Sequence, residues 1–383
     1  MKFKQKKNVP LYEQVTDNIR AEISSGKLKP QDRLDSHKIL AKKYGVSLIT
    51  IKRALSDLAT EGVVYSRGRV GTYVEENGSR KSSIRSSFIG LVLEDLKSPF
   101  FSLIVQNVEA YASRKGYHLL LSNSSSQPDK EETLIRRYFE LGVSGLIVAS
   151  MSHEYTASHF LQKINEEQYP LIMVSYIKDP DMYYVGTDHE EGGYIATRHL
   201  IQMGYQKLGF VNGEPDNAVG ELRKNGFMRA LKEHDLPVRE EFMYRLSQRG
   251  EWHDFSSGYE IGEKFVNLAR KPEAMFIYND LSALGFEQAV LDHGLSIPDD
   301  VAIVGFDGIE RGQYAPVPLT TIQQPFTTIG SVAVENLIKR IEGQPVNTKT
   351  VLEPKIVIRE SCGARNKNNP DSLAAASSQA DNA

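Results

Sequence analysis

Seven short apolar runs punctuate the chain between residues 89 and 305, and their rhythm constrains the fold more than any other feature. They occupy residues 89–94, 119–122, 146–149, 171–175, 207–212, 274–278 and 301–305. Stretches with helical character separate them, at 103–115, 131–141, 193–203 and 281–293. Strands that are apolar on both faces must be covered on both faces, so the alternation predicts an α/β fold with parallel sheets built from βαβ units. About 280 residues is generous for one such sheet, which predicts two lobes side by side. Hydrophobic residues make up 40% of the 383-residue chain, enough to fill cores of that size.

Residues 1–75 follow a different pattern. Leu11, Val15, Ile19 and Ile23 mark an amphipathic helix closed by Ser25-Gly26. Ser36 opens a second short helix through Tyr44, and Gly45 supplies the turn that follows. Ser47 is a suitable N-cap for a third helix, in which Ile51, Ala54, Leu55 and Leu58 form one apolar face. Leu48, Ile49, Lys52 and Arg53 lie away from that stripe, beside the first turn. Two short helices joined through a glycine, the second with a basic outer face, make the helix-turn-helix arrangement that lays a helix in the DNA major groove. Val63-Val64-Tyr65 and Thr72-Tyr73-Val74 then flank Arg67-Gly68-Arg69-Val70-Gly71, which reads as a hairpin. Arginines on either side of Gly68 suit a wing that touches phosphate or the minor groove.

The net charge of -3 conceals a split. Residues 1–85 hold 18 Lys and Arg against 9 Asp and Glu, whereas the remainder holds 28 against 40. A basic head on an acidic body points to a polyanion partner for the head. Residues 76–87 have the polarity of a flexible linker, residues 88–365 carry the two-lobed body, and the tail 366–383 has a disordered composition. Cys362 is the only cysteine, which excludes an internal disulfide or a cysteine-rich metal site. No apolar signal core follows the basic N-terminus, and no apolar run approaches the ~20 residues that cross a bilayer. The expectation is a cytoplasmic protein with no membrane contact.

Catalytic signatures are missing. No Gly-x-Gly-x-x-Gly follows the first strand of the body, and there is no Walker A lysine, His-Glu-x-x-His or Gly-x-Ser-x-Gly. His153-Glu154 and His189-Glu190 lack a second histidine at ligand spacing, and His189 and His253 read as surface or helix-edge residues. Neither an enzyme, a metal site nor a cofactor is expected.

The head resembles the winged helix of GntR-type bacterial regulators. The match runs through Pro10-Leu11-Tyr12, residues 25–30, Leu34-Asp35-Ser36, Tyr44-Gly45-Val46-Ser47, residues 58–62 and Gly71-Thr72-Tyr73-Val74. The resemblance implies DNA contacts at Lys38, Ser47, Thr50, Lys52 and the wing residues Arg67, Gly68 and Arg69, while Leu48 and Arg53 join them from the outer face. Leu48 stands where that family usually has arginine, and Asp35 where it usually has proline, so the operator need not follow the family consensus. The body resembles the effector domain of LacI-type repressors, itself similar to periplasmic sugar-binding proteins. Its markers include Ser98-Pro99-Phe100-Phe101, residues 142–147, residues 223–227, Asn279-Asp280, Val304-Gly305-Phe306-Asp307 and residues 318–325. The hinge helix that LacI-type proteins place before this domain is absent. As a whole the chain resembles the AraR-type arabinose repressors.

A sugar presents hydroxyls that donate and accept, and apolar ring faces, so its pocket needs charged or amide forks and an aromatic plate. Arg223 can donate to neighbouring hydroxyls, Asp280 and Asp307 can accept, and Trp252 offers the broadest plate. Asn279, Asp280 and Asp307 follow apolar runs, where strand ends border the ligand crevice of parallel α/β sheets. Each has a plainer alternative: Asp280 as a helix cap, Arg223 in a surface salt bridge, Trp252 in a core. The resemblance adds Phe100, Phe101, Ser175, Tyr176, Gln324 and Phe326 at lobe edges. These residues imply a regulator that binds operator DNA as a homodimer and responds to a small molecule, an arabinose-like pentose foremost, in an interlobe cleft. A nucleoside or phosphosugar effector is the nearest alternative. A transport-type sugar-binding protein accounts for the body but not for the basic head.

Overall fold

The computed structural model describes residues 9–67, 71–75, 87–125, 127–149, 155–247 and 254–364. Gly68, Arg69, Trp252, His253 and the 366–383 tail, together with nearly all of the 76–87 linker, lie outside the described residues. The described chain falls into two compact units, divided between residues 186 and 187, 325 and 326, and 350 and 351.

The first unit opens with three helices, α1 (Leu11–Ser24), α2 (His37–Tyr44) and α3 (Leu48–Thr60). An antiparallel wing follows, β1 (Val64–Arg67) with β2 (Gly71–Val74). Local signals set these elements. Ser47 Oγ accepts the Thr50 N–H at 3.1 Å and so caps α3. Gly45 ends α2 in the left-handed region, at φ 67°, where a side chain would be strained. Val15, Ile19, Leu40, Tyr44, Ile51, Ala54, Leu55 and Leu58 are buried together. Ile49 and Arg53 depart from the outward placement read from the helical pattern, for both are buried. Their side of α3 packs on the α/β part of the same unit, a contact that the periodicity of one helix does not reveal.

That α/β part continues with β3 (Phe88–Leu93), α4 (Pro99–Arg114), β4 (His118–Asn123), α5 (Pro128–Glu140), β5 (Leu146–Ala149), α6 (His159–Glu166), β6 (Leu171–Val174) and β7 (Tyr184–Thr187). Strands β7, β6, β5, β3 and β4 pair side by side and in parallel. β5 and β6 are buried along their whole length, as strands covered by helices on both faces must be.

The second unit contains α7 (His189–Gln202), β8 (Leu208–Asn212), α8 (Ala218–Glu233), β9 (Met243–Arg245), α9 (Asp254–Val266), β10 (Ala274–Ile277), α10 (Asp280–Asp292), β11 (Ala302–Asp307) and β12 (Thr320–Gln323). After it the chain returns to the first unit as α11 (Phe326–Ile341), which lies on α4 with Gly330 against the Asn107 backbone. β13 (Lys349–Leu352) closes the first sheet beside β7, and β14 (Lys355–Val357) adds to the second. The second sheet has the order β14-β12-β11-β10-β8-β9, parallel except for β14 against β12. Its helix pairs meet through glycine. A Cβ on Gly193 would strike the Arg223 carbonyl at 2.1 Å, and one on Gly226 the Glu190 carbonyl at 2.0 Å. This backbone contact of α7 with α8 is what brings Arg223 to the sheet.

Candidate functional site

In the second unit, the carboxyl ends of the parallel strands collect polar residues. Tyr278 and Asn279 follow β10, Asp307 ends β11 and Gln324 follows β12. Arg223 reaches them from α8, with its side chain 4% exposed. One guanidinium nitrogen donates to the Tyr278 carbonyl at 2.5 Å, and the other lies 3.6 Å from Asp307 Oδ1. The guanidinium carbon sits 3.6 Å from the centroid of the Phe306 ring and 4.7 Å from that of Tyr278. A cation stacked on aromatic rings and paired with a carboxylate is desolvated yet compensated. The plainer alternative for Arg223, a surface salt bridge, is excluded by its burial.

Asp307 is fixed from the other side. Its Oδ1 accepts from Gln324 Nε2 at 2.8 Å, and Gln324 Oε1 accepts the Thr187 hydroxyl at 2.6 Å. Asp307 itself holds φ 121°, a conformation that costs free energy for any residue with a Cβ. Burial pushes its carboxyl up, against the pull of Arg223 and Gln324. A partly desolvated acceptor next to a forked donor can grip adjacent hydroxyls of a polyol.

Asp280 and Asn279 have other work. Asp280 is fully buried; Oδ1 accepts the Thr321 hydroxyl at 2.6 Å, and Oδ2 accepts the N–H groups of Gly308 and Ile309, each at 2.8 Å. Both oxygens are thus committed, Oδ2 to the turn after Asp307 and Oδ1 to the neighbouring strand β12. Burial, with the Asp307 charge nearby, pushes the Asp280 carboxyl up. Asp280 is therefore a positioning residue and not an open acceptor, and Asn279, not Asp280, is the helix cap. Its Oδ1 accepts the Ser282 N–H at 2.9 Å, while its Nδ2 donates to Asp254 at 2.6 Å.

Sequence reasoning missed four neighbours. His189 was expected at a surface or helix edge; it begins α7 but is 6% exposed, with Nδ1 3.4 Å from Arg223 Nη2. Arginine has only donors, so Nδ1 accepts and the imidazole is neutral. Burial, with the Arg223 charge second, drives its pKa well below the usual histidine value. Asp254, Tyr278 and Thr187 complete the set, and burial pushes Tyr278 up to about 12. The position of Tyr278, at the end of an apolar run and before Asn279, was the one usable signal.

The remaining effector candidates belong to the first unit. Phe100 meets Phe101 at 5.0 Å and Phe326 at 5.5 Å in edge-on contacts. Phe101 and Phe326 are buried, so Phe100 has the freer face. Ser175 follows β6 at φ 88°, and Tyr176 lies between Tyr155 and Tyr184 at 6.0 and 6.4 Å. On the head, Lys38 is exposed, Leu48 is 42% exposed and Lys52 is half-buried. Arg67 lies in β1, opposite Gly71. Thr50 and Arg53 are buried at 5% and 4% exposure. Among the described residues no group of three or more His, Cys, Asp or Glu could hold a metal ion, and no helix is long and apolar enough to cross a membrane.

Comparison with known proteins identifies both parts of the chain. Residues 11–74 match the family of bacterial regulatory proteins described as the gntR family, and residues 197–362 match the periplasmic binding protein-like domain. Head and body together define a transcription regulator with an effector-binding domain. An arabinose metabolism transcriptional repressor of Geobacillus stearothermophilus is 30% identical over 365 residues, covering 93% of this chain and 98% of the relative. The HTH-type transcriptional repressor PurR of Aliivibrio salmonicida is 31% identical over 333 residues, 85% of this chain and 98% of its own. A periplasmic binding protein/LacI transcriptional regulator from Alkaliphilus metalliredigens, crystallised with D-xylulofuranose, superposes with a TM-score of 0.61 at 27% identity, covering 72% of this chain and 99% of its own. The chain belongs to the family of transcriptional repressors that join a GntR-type head to a LacI-type effector domain. These relatives are repressors and not enzymes.

Proposed function

We propose that this repressor acts as a homodimer on a near-palindromic operator and lets go when a sugar, an arabinose-like pentose, binds beside Arg223 and Asp307. The observation that carries the reading is the chain Thr187–Gln324–Asp307–Arg223, buried and stacked on Phe306. It offers a forked donor and a fixed acceptor at the strand ends, where a polyol needs both. The arabinose repressor among the relatives, and the pentose in the Alkaliphilus protein, support a sugar of that size. Asp254 and Asp307 together make a poor environment for a phosphate group. Operator contacts are assigned to Lys38, Ser47, Leu48, Thr50, Lys52 and the wing at Arg67, Gly68 and Arg69. A dimer would set two such helices about one turn of DNA apart. Sugar and operator binding oppose each other by the same coupling free energy, and a tenfold release needs ~1.4 kcal/mol.

The test is a thermal-shift screen of the full chain against monosaccharides, disaccharides, nucleosides and phosphosugars. A specific ligand stabilises by RT ln(1 + [L]/Kd). A pentose that stabilises wild type and not Asp307→Ala is the expected result. Stabilisation by nucleosides or phosphosugars alone contradicts the proposal.

A further inference from the structure

The helix assigned to DNA is not open in this structure. α3 lies against the α/β part of its own unit, and the atoms assigned to phosphate contact are already occupied by carboxylates. Ser47 Oγ donates to Glu167 Oε2 at 2.7 Å, and Thr50 Oγ1 donates to the same oxygen. Further along α3, Lys52 Nζ meets Glu140 Oε1 at 2.7 Å. Glu140 ends α5 and Glu167 follows α6, and both reach the first turns of α3. Arg53 turns inward beside them. Its guanidinium donates to the Val143 carbonyl, pairs with Asp57 at 3.2 Å and lies over the Tyr12 ring. Tyr169 donates to the same carbonyl at 2.9 Å.

Two properties mark this contact as a docking site. First, the donors are those a phosphate would engage: hydroxyls at a helix N-terminus and a lysine ammonium. A carboxylate presents the same charge sign and acceptor geometry. Lys52 in turn holds the Glu140 carboxyl below its ordinary range. Second, the seam is incompletely packed. A cavity of about 250 Å³ remains in it, lined among others by Thr16, Arg20, Asp57, Glu61 and Ser144. Lys52 and Glu140 are 39% and 57% exposed. Ion pairs of this kind are weak one by one, and the rest of the seam is the buried contact of Tyr12, Ile49 and Arg53 with Val143 and Tyr169, which undocking would uncover.

We propose that Glu140 and Glu167 form an intramolecular docking ledge for the first turns of α3, two carboxylates standing in for DNA phosphates. The inference rests on the DNA-binding reading of the head. Docking then competes with DNA, and the apparent dissociation constant rises as the undocked fraction falls.

The experiment uses the full chain as wild type, as Glu140→Gln/Glu167→Gln, and as Glu109→Gln/Glu342→Gln. The last pair removes the same charge from exposed positions of the same unit. Amide hydrogen exchange across residues 47–58 is read without DNA, and binding is read with a labelled mixed-sequence duplex at low ionic strength. The ledge variant should exchange faster than wild type and bind the duplex about tenfold tighter than the control. Unchanged exchange overturns the proposal, and so does faster exchange with affinity equal to the control. If none of the proteins binds the duplex, the DNA-binding reading fails. The exchange result, obtained without DNA, still decides whether the ledge holds the helix.

Discussion

Arg223 with Asp307 and Lys52 with Glu140 are both cation–carboxylate pairs, yet the protein handles them in opposite ways. The first pair is 4% and 14% exposed, and stacking and side-chain hydrogen bonds hold both partners. The second is 39% and 57% exposed, and little else fixes either end. A buried pair is costly to form and more costly to break, so it gives a fixed shape to the site proposed to hold a polyol. An exposed pair contributes ~1 kcal/mol at most and exchanges partners readily, which suits the proposed exchange of this surface between protein and DNA. The same two side-chain chemistries thus make a fixed pair in one region and a loose pair in the other, separated by burial.

The largest expected effect tests that contrast. Arg223→Met leaves Asp307 without its cation and should lower the unfolding free energy by about 3 to 5 kcal/mol in urea titration. Lys52→Met should change it by less than about 1 kcal/mol. Equal losses would break the comparison. Next in size is Asp280→Ala, which strands the Gly308 and Ile309 N–H groups and the Thr321 hydroxyl. A loss of about 2 to 3 kcal/mol is expected, with sugar affinity falling as Asp307 loses its support. A variant that keeps full sugar affinity would show that the turn holds without Asp280.

How far the sequence disclosed these features depended on the range of the interaction. Ser47, Gly45 and the Ile51–Leu58 stripe act within one or two turns, and all are visible in a line of letters. Most of the apolar runs were visible too, because buried parallel strands need no partner pattern to stand out. β12 was not, for Thr320-Thr321-Ile322-Gln323 carries little apolar signal, and its burial comes from its neighbours. α8 was masked by its two glycines and its charges, since its fit on α7 depends on Gly193 across the contact. In the site, Asp307 and Arg223 were legible through motif position. His189 was not, because its burial depends on Arg223 and Phe306, far away in sequence. Arg53 was misjudged for the same reason, its partner being Val143.

A smaller effect concerns pH. Glu287 is buried; Oε1 accepts the Val317 N–H at 2.9 Å, and burial pushes its carboxyl up to about 7. The folded protein therefore keeps a proton that the unfolded chain has released. Its contribution to stability is full below the unfolded value of 4.5 and is lost as pH rises through 7. Glu287→Gln should flatten the stability profile across that window by about 3 kcal/mol, read by denaturant unfolding at several pH values. An unaltered slope would place the proton elsewhere. The smallest effect expected is at Leu48, which is 42% exposed at the start of α3. Leu48→Arg should tighten binding at low salt and steepen the salt dependence by about one counterion. No change in that slope would remove Leu48 from the DNA-facing surface.

The central claim joins the two regions, so the most direct measurement reads both at once. A duplex selected by the full chain from a random-sequence pool is titrated, by fluorescence anisotropy, with wild type and with Asp307→Ala. Each titration is run with and without the pentose that stabilises wild type. The account predicts equal affinity without sugar, at least a tenfold loss for wild type with sugar, and no loss for Asp307→Ala. Equal release of both proteins by the sugar would contradict it.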